Sequence, residues 1–432
     1  METTSQQKNI DFFDEAADGV AFIEGGVSRP LGVSVSAMHA GFRKNSDKYD
    51  FALVSVPEGS AAAAVFTTNK FCAAPVQVSR KHVESGHARA VVLNSGIANA
   101  ATGDVGFDNA VKSAKATAGK LGCNANDVLV ASTGVIGVQL DMQKFENGIG
   151  QLVDALGPHD GTDLEGGLAA AGAIMTTDTV PKQAAVEFVA TESDGTEVVY
   201  HIGGMAKGSG MIEPNMATML SVIATDCTID PAAAKLALKH AVDISFNCVT
   251  VDSDMSTNDS VFLLATGAAA GKTITADCPV FAQFEAALKT LCVSLARQMA
   301  ADGEGATKLV TVKVTGAAND EDAYIAAKSV ANSPLVKTAI AGHDANWGRL
   351  AAALGKSSAT FDQYGVSISL MGMKVCEGGL PVAFDEDEAL RLFDANDNIV
   401  VEADLGCGDG ASRVWTCDFT HGYISINADY RS

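Results

Sequence analysis

The sequence predicts a fold of mixed strands and helices, and three patterns predict it. Short β-branched runs end in small or turn-forming residues at 50–57 and 88–93, which read as core strands. Phe284, Leu288, Leu291, Leu295 and Met299 recur at three and four residues, the period of a helix with one buried face. Val310, Val312 and Val314 alternate with Thr311, Lys313 and Thr315, the period of a half-buried strand. At 432 residues the chain has room for two or three domains and for a core that needs neither disulfide nor metal.

Composition narrows the function. Hydrophobic residues make up 47% and charged residues 19%, with no apolar run near the length of a bilayer span, so no membrane partner is expected. A net charge of −22 without a basic cluster argues against nucleic acid. The nine cysteines are scattered, none closer than Cys407 and Cys417, and no pair of the eight histidines has helical ligand spacing. That pattern fits a reducing, cytoplasmic setting and no metal.

Along the chain, residues 107–121 have helical spacing stopped by Gly122, and a strand at 128–132 runs into Thr133-Gly134-Val135-Ile136-Gly137. This glycine-rich stretch reads as a tight turn, or as one whose backbone N–H groups converge on an oxygen, as in an oxyanion hole. Strands at 185–191 and 197–202, joined through Asp194-Gly195, make a hairpin. Residues 203–226 follow, where four glycines and a proline suggest a loop feeding a buried strand. At that join stands Ala217-Thr218, whose hydroxyl is a nucleophile if a base activates it.

Asp230 and Pro231 form the cap and first position of a helix over 232–242. The helix through Met299 stops at Gly303 and presents residues 302–308, which lack the spacing of a phosphate loop and follow a helix where that loop follows a strand. Helices at 322–330 and 347–354 separate the strands at 310–315 and 366–370. Near the end, strands at 399–405 and 414–419 flank Gly406-Cys407-Gly408-Asp409-Gly410, which is no dinucleotide fingerprint because no helix follows it.

Lys207-Gly208-Ser209-Gly210-Met211-Ile212 and Pro214-Asn215-Met216-Ala217-Thr218-Met219-Leu220 resemble the self-cleavage site of the ornithine acetyltransferase family, also called glutamate N-acetyltransferase. Further strings are similar to the family at 66–70, 94–100, 245–259 and 337–349, and the resemblance covers about 32–432. The chain departs from the family's pattern at Ile97, Ala101, Ser253, Met255 and His343.

The resemblance implies an α+β architecture with β-sheets sandwiched between helical layers, N-terminal-nucleophile-like, with a smaller C-terminal α+β domain from about 280. It implies cleavage between Ala217 and Thr218 into fragments 1–217 and 218–432, with Thr218 as the nucleophile. Thr133 and Gly134 match the family's oxyanion pair. Thr176 (with Thr177 as the alternative), Lys207, Thr218, Glu304, Asn427 and Ser432 match its substrate contacts. The implied reaction is ping-pong transfer of acetyl from N-acetylornithine to glutamate in arginine biosynthesis, with no cofactor and with acetyl-CoA left open as a second donor. A dimer of cleaved heterodimers is the implied assembly. Two other readings stand beside it: an N-terminal-nucleophile aminopeptidase or amidase, and an uncleaved, non-catalytic paralogue.

Overall fold

The computed structural model describes residues 16–44, 47–191, 195–213 and 219–429. They divide into two units, one of residues 16–247 and 254–299, the other of 248–253 and 300–429. The second unit takes up the chain at Ala300, whereas the sequence reading put the C-terminal domain from about 280.

In the larger unit the strands are β1 (Val20–Ile23), β2 (Ser34–Met38), β3 (Phe51–Ser55), β4 (Ala61–Phe66), β5 (Ala90–Ile97), β6 (Val128–Val135), β7 (Lys182–Thr191), β8 (Glu197–Lys207), β9 (Leu220–Thr225) and β10 (Ser260–Ala265). Its helices are α1 (Ala74–His82), α2 (Gly103–Leu121), α3 (Met142–Asp154), α4 (Leu164–Ala173), α5 (Pro231–Asp243) and α6 (Pro279–Ala301). A four-stranded sheet has the order β2-β3-β5-β6, and a six-stranded sheet the order β1-β7-β8-β9-β10-β4.

Side chains alternate across a strand, and the alternation here builds the layers. Ala52, Val54, Val91, Leu93, Leu129 and Ala131 of the smaller sheet share one buried cluster with Met205, Leu220, Val222, Phe262 and Leu264 of the larger, so the sheets pack face to face. The intervening residues Phe51, Leu53, Val92 and Val130 turn the other way, onto Ala110 and Ala114 of α2 and Phe145 and Ile149 of α3. On the outer face of the six-stranded sheet, a Cβ at Gly204 would stand 3.1 Å from both Leu291 and Leu295 of α6, and α5 packs against β4. The sheets therefore lie between helical layers, as expected. Asp230 caps α5 through Ala232 N and Ala233 N, with Pro231 in the first turn.

Three expected loop or turn segments are strand instead. β8 continues through Gly203 and Gly204 to Lys207, and the loop starts only at Gly208. Gly203 serves close approach here and not a turn, since a Cβ there would lie 2.0 Å from the carbonyl oxygen of Gly26. Likewise β5 runs past Asn94-Ser95-Gly96, and β6 past Thr133-Gly134. The two stay paired in parallel, with an irregular register at Gly96 and Ile97. Gly134, at φ +130°, lies so close to Gly96 that a Cβ would be 2.3 Å from the Gly96 carbonyl carbon. The hairpin forms as expected, with Thr191 opposite Glu197 and Gly195 at φ +86°; Asp194 lies outside the described residues.

The smaller unit has β11 (Leu309–Ala317), α7 (Asp320–Ala331), α8 (Pro334–Ala341), α9 (Trp347–Gly355), β12 (Ser367–Leu370), β13 (Met373–Glu377), β14 (Leu380–Pro381), α10 (Glu386–Ala395), β15 (Asn398–Asp404), β16 (Gly410–Cys417) and α11 (His421–Asp429). Its six-stranded sheet has the order β14-β13-β12-β15-β11-β16. Val310, Val312 and Val314 meet Ala323, Ala326 and Val330 of α7 in its core. Asn319 caps α7 and Asn346 caps α9, which starts both helices close to where their apolar spacing begins.

Candidate active site

The end of β6 and the end of β8 approach each other where the two sheets of the larger unit meet. Lys207 Nζ donates to Thr133 Oγ1 at 3.5 Å, and each residue is only 8% exposed. Gly134 follows Thr133 on the strand, so the expected oxyanion pair stands beside the expected substrate lysine.

Asp178 organises the neighbouring segment. Its Oδ1 accepts Lys182 Nζ at 2.6 Å and Gly208 N at 2.7 Å, and its Oδ2 accepts Thr176 N at 2.9 Å. One buried carboxylate thus ties the Thr176 string to the start of the loop after Lys207. Burial opposes its ionisation, but the charges of Lys182 and then Lys207 outweigh burial and hold the carboxyl below the usual carboxylate range. The Thr177 hydroxyl shares a 2.7 Å hydrogen bond with Ser209 Oγ across the same junction. Asp178 had no assigned role in the sequence reading; an acid set among three threonines and followed four residues later by a lysine was the available signal.

A second network joins the other family-like strings. Asn258 Nδ2 donates to Ala98 O at 2.6 Å and to Ser132 O at 2.8 Å, immediately before Thr133. Ser132 Oγ donates to Asn94 Oδ1, and Asn94 Nδ2 to Ile97 O. Asn69 Nδ2 donates to Met255 O at 2.9 Å and Thr67 Oγ1 to Ser256 O at 3.0 Å. Two of the departures from the family therefore sit where the backbone carbonyl does the bonding: Ile97 and Met255 each accept through their oxygen. Ala101 is exposed at φ +54°, and Ser253, at φ +65°, bonds its neighbour Asp252 O.

Ala217 and Thr218 lie outside the described residues. Description resumes at Met219, whose carbonyl accepts Ser260 N at 2.8 Å at the start of the parallel pair β9 and β10. On the other side of β10, Thr67 N donates to Asp259 O at 3.0 Å.

In the smaller unit, Glu304 is 7% exposed, and Asn427 Nδ2 of α11 donates to its Oε2 at 2.6 Å. Gly305, at φ +70°, lets α11 approach: a Cβ there would be 2.4 Å from Tyr423 N. Asp418 accepts Thr307 N, Thr307 Oγ1 and Lys308 N, which fixes the segment after Glu304. Ser432 lies outside the described residues. His343 pairs with Asp394 at 2.9 Å and stacks on Phe393, contacts within its own unit that give it a packing part.

Among the described residues no group of three or more His, Cys, Asp or Glu could hold a metal ion, and no helix is long and apolar enough to cross a membrane.

A buried hydroxyl, a glycine and a lysine stand together at the rim of two packed sheets, the kinds of group that an acyltransferase uses. The chain belongs to the ArgJ family, the glutamate N-acetyltransferases of arginine biosynthesis, whose family model matches residues 34–432. The arginine biosynthesis bifunctional protein ArgJ of Symbiobacterium thermophilum is 46% identical over 412 residues, covering 95% of this chain and 100% of that one. The protein of the same name from a Synechococcus species is 44% identical, covering 94% of this chain and 98% of that one. A crystal structure of the Bacillus halodurans protein of that name, 42% identical, covers 48% of this chain and 96% of that chain with a TM-score of 0.47.

Proposed function

We propose that Thr218, freed by self-cleavage of the Ala217–Thr218 bond, carries acetyl from N-acetylornithine to glutamate as an acetyl-threonine ester. The observation that carries this reading is Lys207 Nζ at 3.5 Å from Thr133 Oγ1, beside Gly134. It supplies hydroxyl, backbone N–H and cation in one buried place, which is what a tetrahedral oxyanion needs.

The chemistry has two stages. Thr218 Oγ attacks the Ala217 carbonyl, the acyl group shifts from nitrogen to oxygen, and water opens the ester. The freed α-amine, titrating near ~8, is partly neutral at cell pH and takes the proton of its own hydroxyl. That hydroxyl then accepts acetyl from N-acetylornithine, ornithine leaves, and glutamate receives the acetyl group. Thr133 and Gly134 stabilise the oxyanion in each half-reaction, while Thr176, Lys207, Glu304, Asn427 and Ser432 orient the amino acid. The active protein is a dimer of cleaved heterodimers, 1–217 with 218–432, working in the cytoplasm without a cofactor. Acetyl-CoA is a second donor to test in the same assay.

Incubation with N-acetylornithine, with and without glutamate, tests the reading. Ornithine release that depends on glutamate supports transfer. Release to water alone points to an aminopeptidase or amidase, and a single uncleaved, inactive band points to a non-catalytic paralogue.

A further inference from the structure

Arg43 stands in the connection between β2 and β3, held against the end of the four-stranded sheet at its backbone, its stem and its head. Its N–H donates to Asp50 Oδ2 at 2.9 Å, while Asp50 Oδ1 accepts Ala40 N at 2.6 Å, so a fully buried carboxylate fixes the backbone at Ala40 and Arg43. Its stem lies over Gly96, where a Cβ would be 3.0 Å from Arg43 Cγ and 3.1 Å from Arg43 N. Its guanidinium Nε donates to Ser95 Oγ at 3.0 Å, and that buried hydroxyl donates to Ala173 O at 2.6 Å. A half-buried arginine tied in these ways is pre-organised and loses little further side-chain entropy when a ligand binds.

Strand register says what stands next to that head. Ser95 is opposite Thr133, and Gly96 opposite Gly134, in the parallel pair β5 and β6. Register partners turn their side chains to the same face, about one strand spacing of ~4.8 Å apart. The Arg43 head therefore bonds the neighbour of Thr133, whose hydroxyl accepts Lys207 Nζ, and its stem covers the glycine against which Gly134 packs. Ala173, at the other end of the Ser95 bond, lies just before the Thr176 string. Two cations thus approach the Thr133 and Gly134 edge, Lys207 from the six-stranded sheet and Arg43 from the four-stranded one.

Resting on the proposed place of Thr133 and Gly134 at the reacting carbonyl, and deepening that reading, we propose that Arg43 binds the α-carboxylate that N-acetylornithine and glutamate share. In both amino acids the carbon attached to the reacting nitrogen bears this carboxylate. Wherever the acetyl carbonyl meets Thr133 and Gly134, the carboxylate is therefore close by. The planar guanidinium takes a carboxylate through two N–H groups, a fit that fixes direction as well as charge. One fixed fork serves both half-reactions because the two amino acids occupy the place in turn. Arg43 reads their common end and leaves the choice between their side chains to the rest of the site.

N-acetylputrescine, which is N-acetylornithine without its carboxylate, tests this. The readout is kcat/KM for each donor, with glutamate as acceptor, in the wild type and in Arg43→Gln. The variant is expected to lose roughly 10- to 100-fold on N-acetylornithine, mostly through KM, the span for a hydrogen bond to a charged group, and its KM for glutamate is expected to rise likewise. On N-acetylputrescine the wild type is expected to be no faster than the variant, because the pair is already broken. Arg43→Lys is expected to recover part of the loss on N-acetylornithine and none on the analogue. Equal losses on both donors make Arg43 a structural residue and overturn the proposal, as does an unchanged KM for both amino acids or a wild type that uses the two donors equally well. Failure of both Arg43→Gln and Arg43→Lys to fold, read by thermal melts, overturns it too. A wild type that transfers no acetyl from N-acetylornithine overturns instead the reading on which the proposal rests.

Discussion

Asn427 Nδ2 and Glu304 Oε2 are 2.6 Å apart, a charge-assisted hydrogen bond that joins α11 to the segment after α6 across 123 positions of sequence. Asn427 is exposed while Glu304 is buried, so the amide holds the carboxylate in place without carrying much of the fold. Asn427→Ala is expected to raise KM for N-acetylornithine roughly tenfold, from loss of a hydrogen bond to a charged group of about 1.5 kcal/mol, with a smaller change in kcat. Steady-state kinetics check this, and an unchanged KM removes Asn427 from substrate positioning.

Thr133→Ala takes the hydroxyl away from Lys207 and from the proposed oxyanion. Its expected cost is about 2.7 to 4 kcal/mol in the barrier, a fall of roughly 10²- to 10³-fold in kcat. Unchanged kcat in a folded variant would exclude Thr133 from the chemistry.

The two tasks proposed for Thr218 are separable. Thr218→Ala is expected to leave the chain whole and inactive, and Thr218→Ser to keep some cleavage and some transfer. Fragments co-expressed already split, with a free Thr218 amine, are expected to transfer acetyl without processing. Blocking that amine by chemical acetylation is expected to abolish transfer, because the hydroxyl loses its base; full activity after verified blocking assigns the base elsewhere.

Asp178 and Asp259 are buried carboxyls pushed in opposite directions, and their effects on stability have opposite signs. The depressed Asp178 contributes stability that is present above the unfolded carboxylate value near ~3.9 and is lost as pH falls through its folded value. The raised Asp259, facing Lys207 and close to Cys72, contributes stability that is present below ~3.9 and is lost as pH rises through its folded value. Denaturant melts of variants made already split test both signs. Asp178→Asn is expected to lose about 3–5 kcal/mol at neutral pH, as breaking a buried pair does, and less in acid. Asp259→Asn is expected to gain on the wild type as pH rises above ~4.

Periodic patterns carried most of the fold, and the polar sites divide by whether burial was needed to read them. The alternation of Val310, Val312 and Val314 and the hairpin signal at Asp194-Gly195 are local, and both elements form. Gly203 and Gly204 misled because a glycine that permits a turn and one that permits close packing are the same letter. Only the partner, Gly26 or Leu291, tells them apart. Thr133, Lys207, Glu304 and Asn427 were singled out through resemblance, whereas Asp178 and Asp259 escaped it. Each acid sits in a polar string, and what distinguishes it is enclosure by segments distant in sequence.

The order of the six-stranded sheet bears on the proposed cut between Ala217 and Thr218. β8 is the last strand before Thr218, and β9 the first after it, while β4, from the first fragment, closes the far edge beyond β10. With that cut the first fragment would supply both flanks and the second the middle, like a keystone slotted between two abutments. Isolated, residues 1–217 would expose two raw edges, at β8 and β4, and would be prone to pair with other copies. Fragments from different molecules should not trade places unless the sheet itself opens, so mixing isotope-labelled and unlabelled heterodimers is expected to yield no hybrids on any timescale shorter than global unfolding.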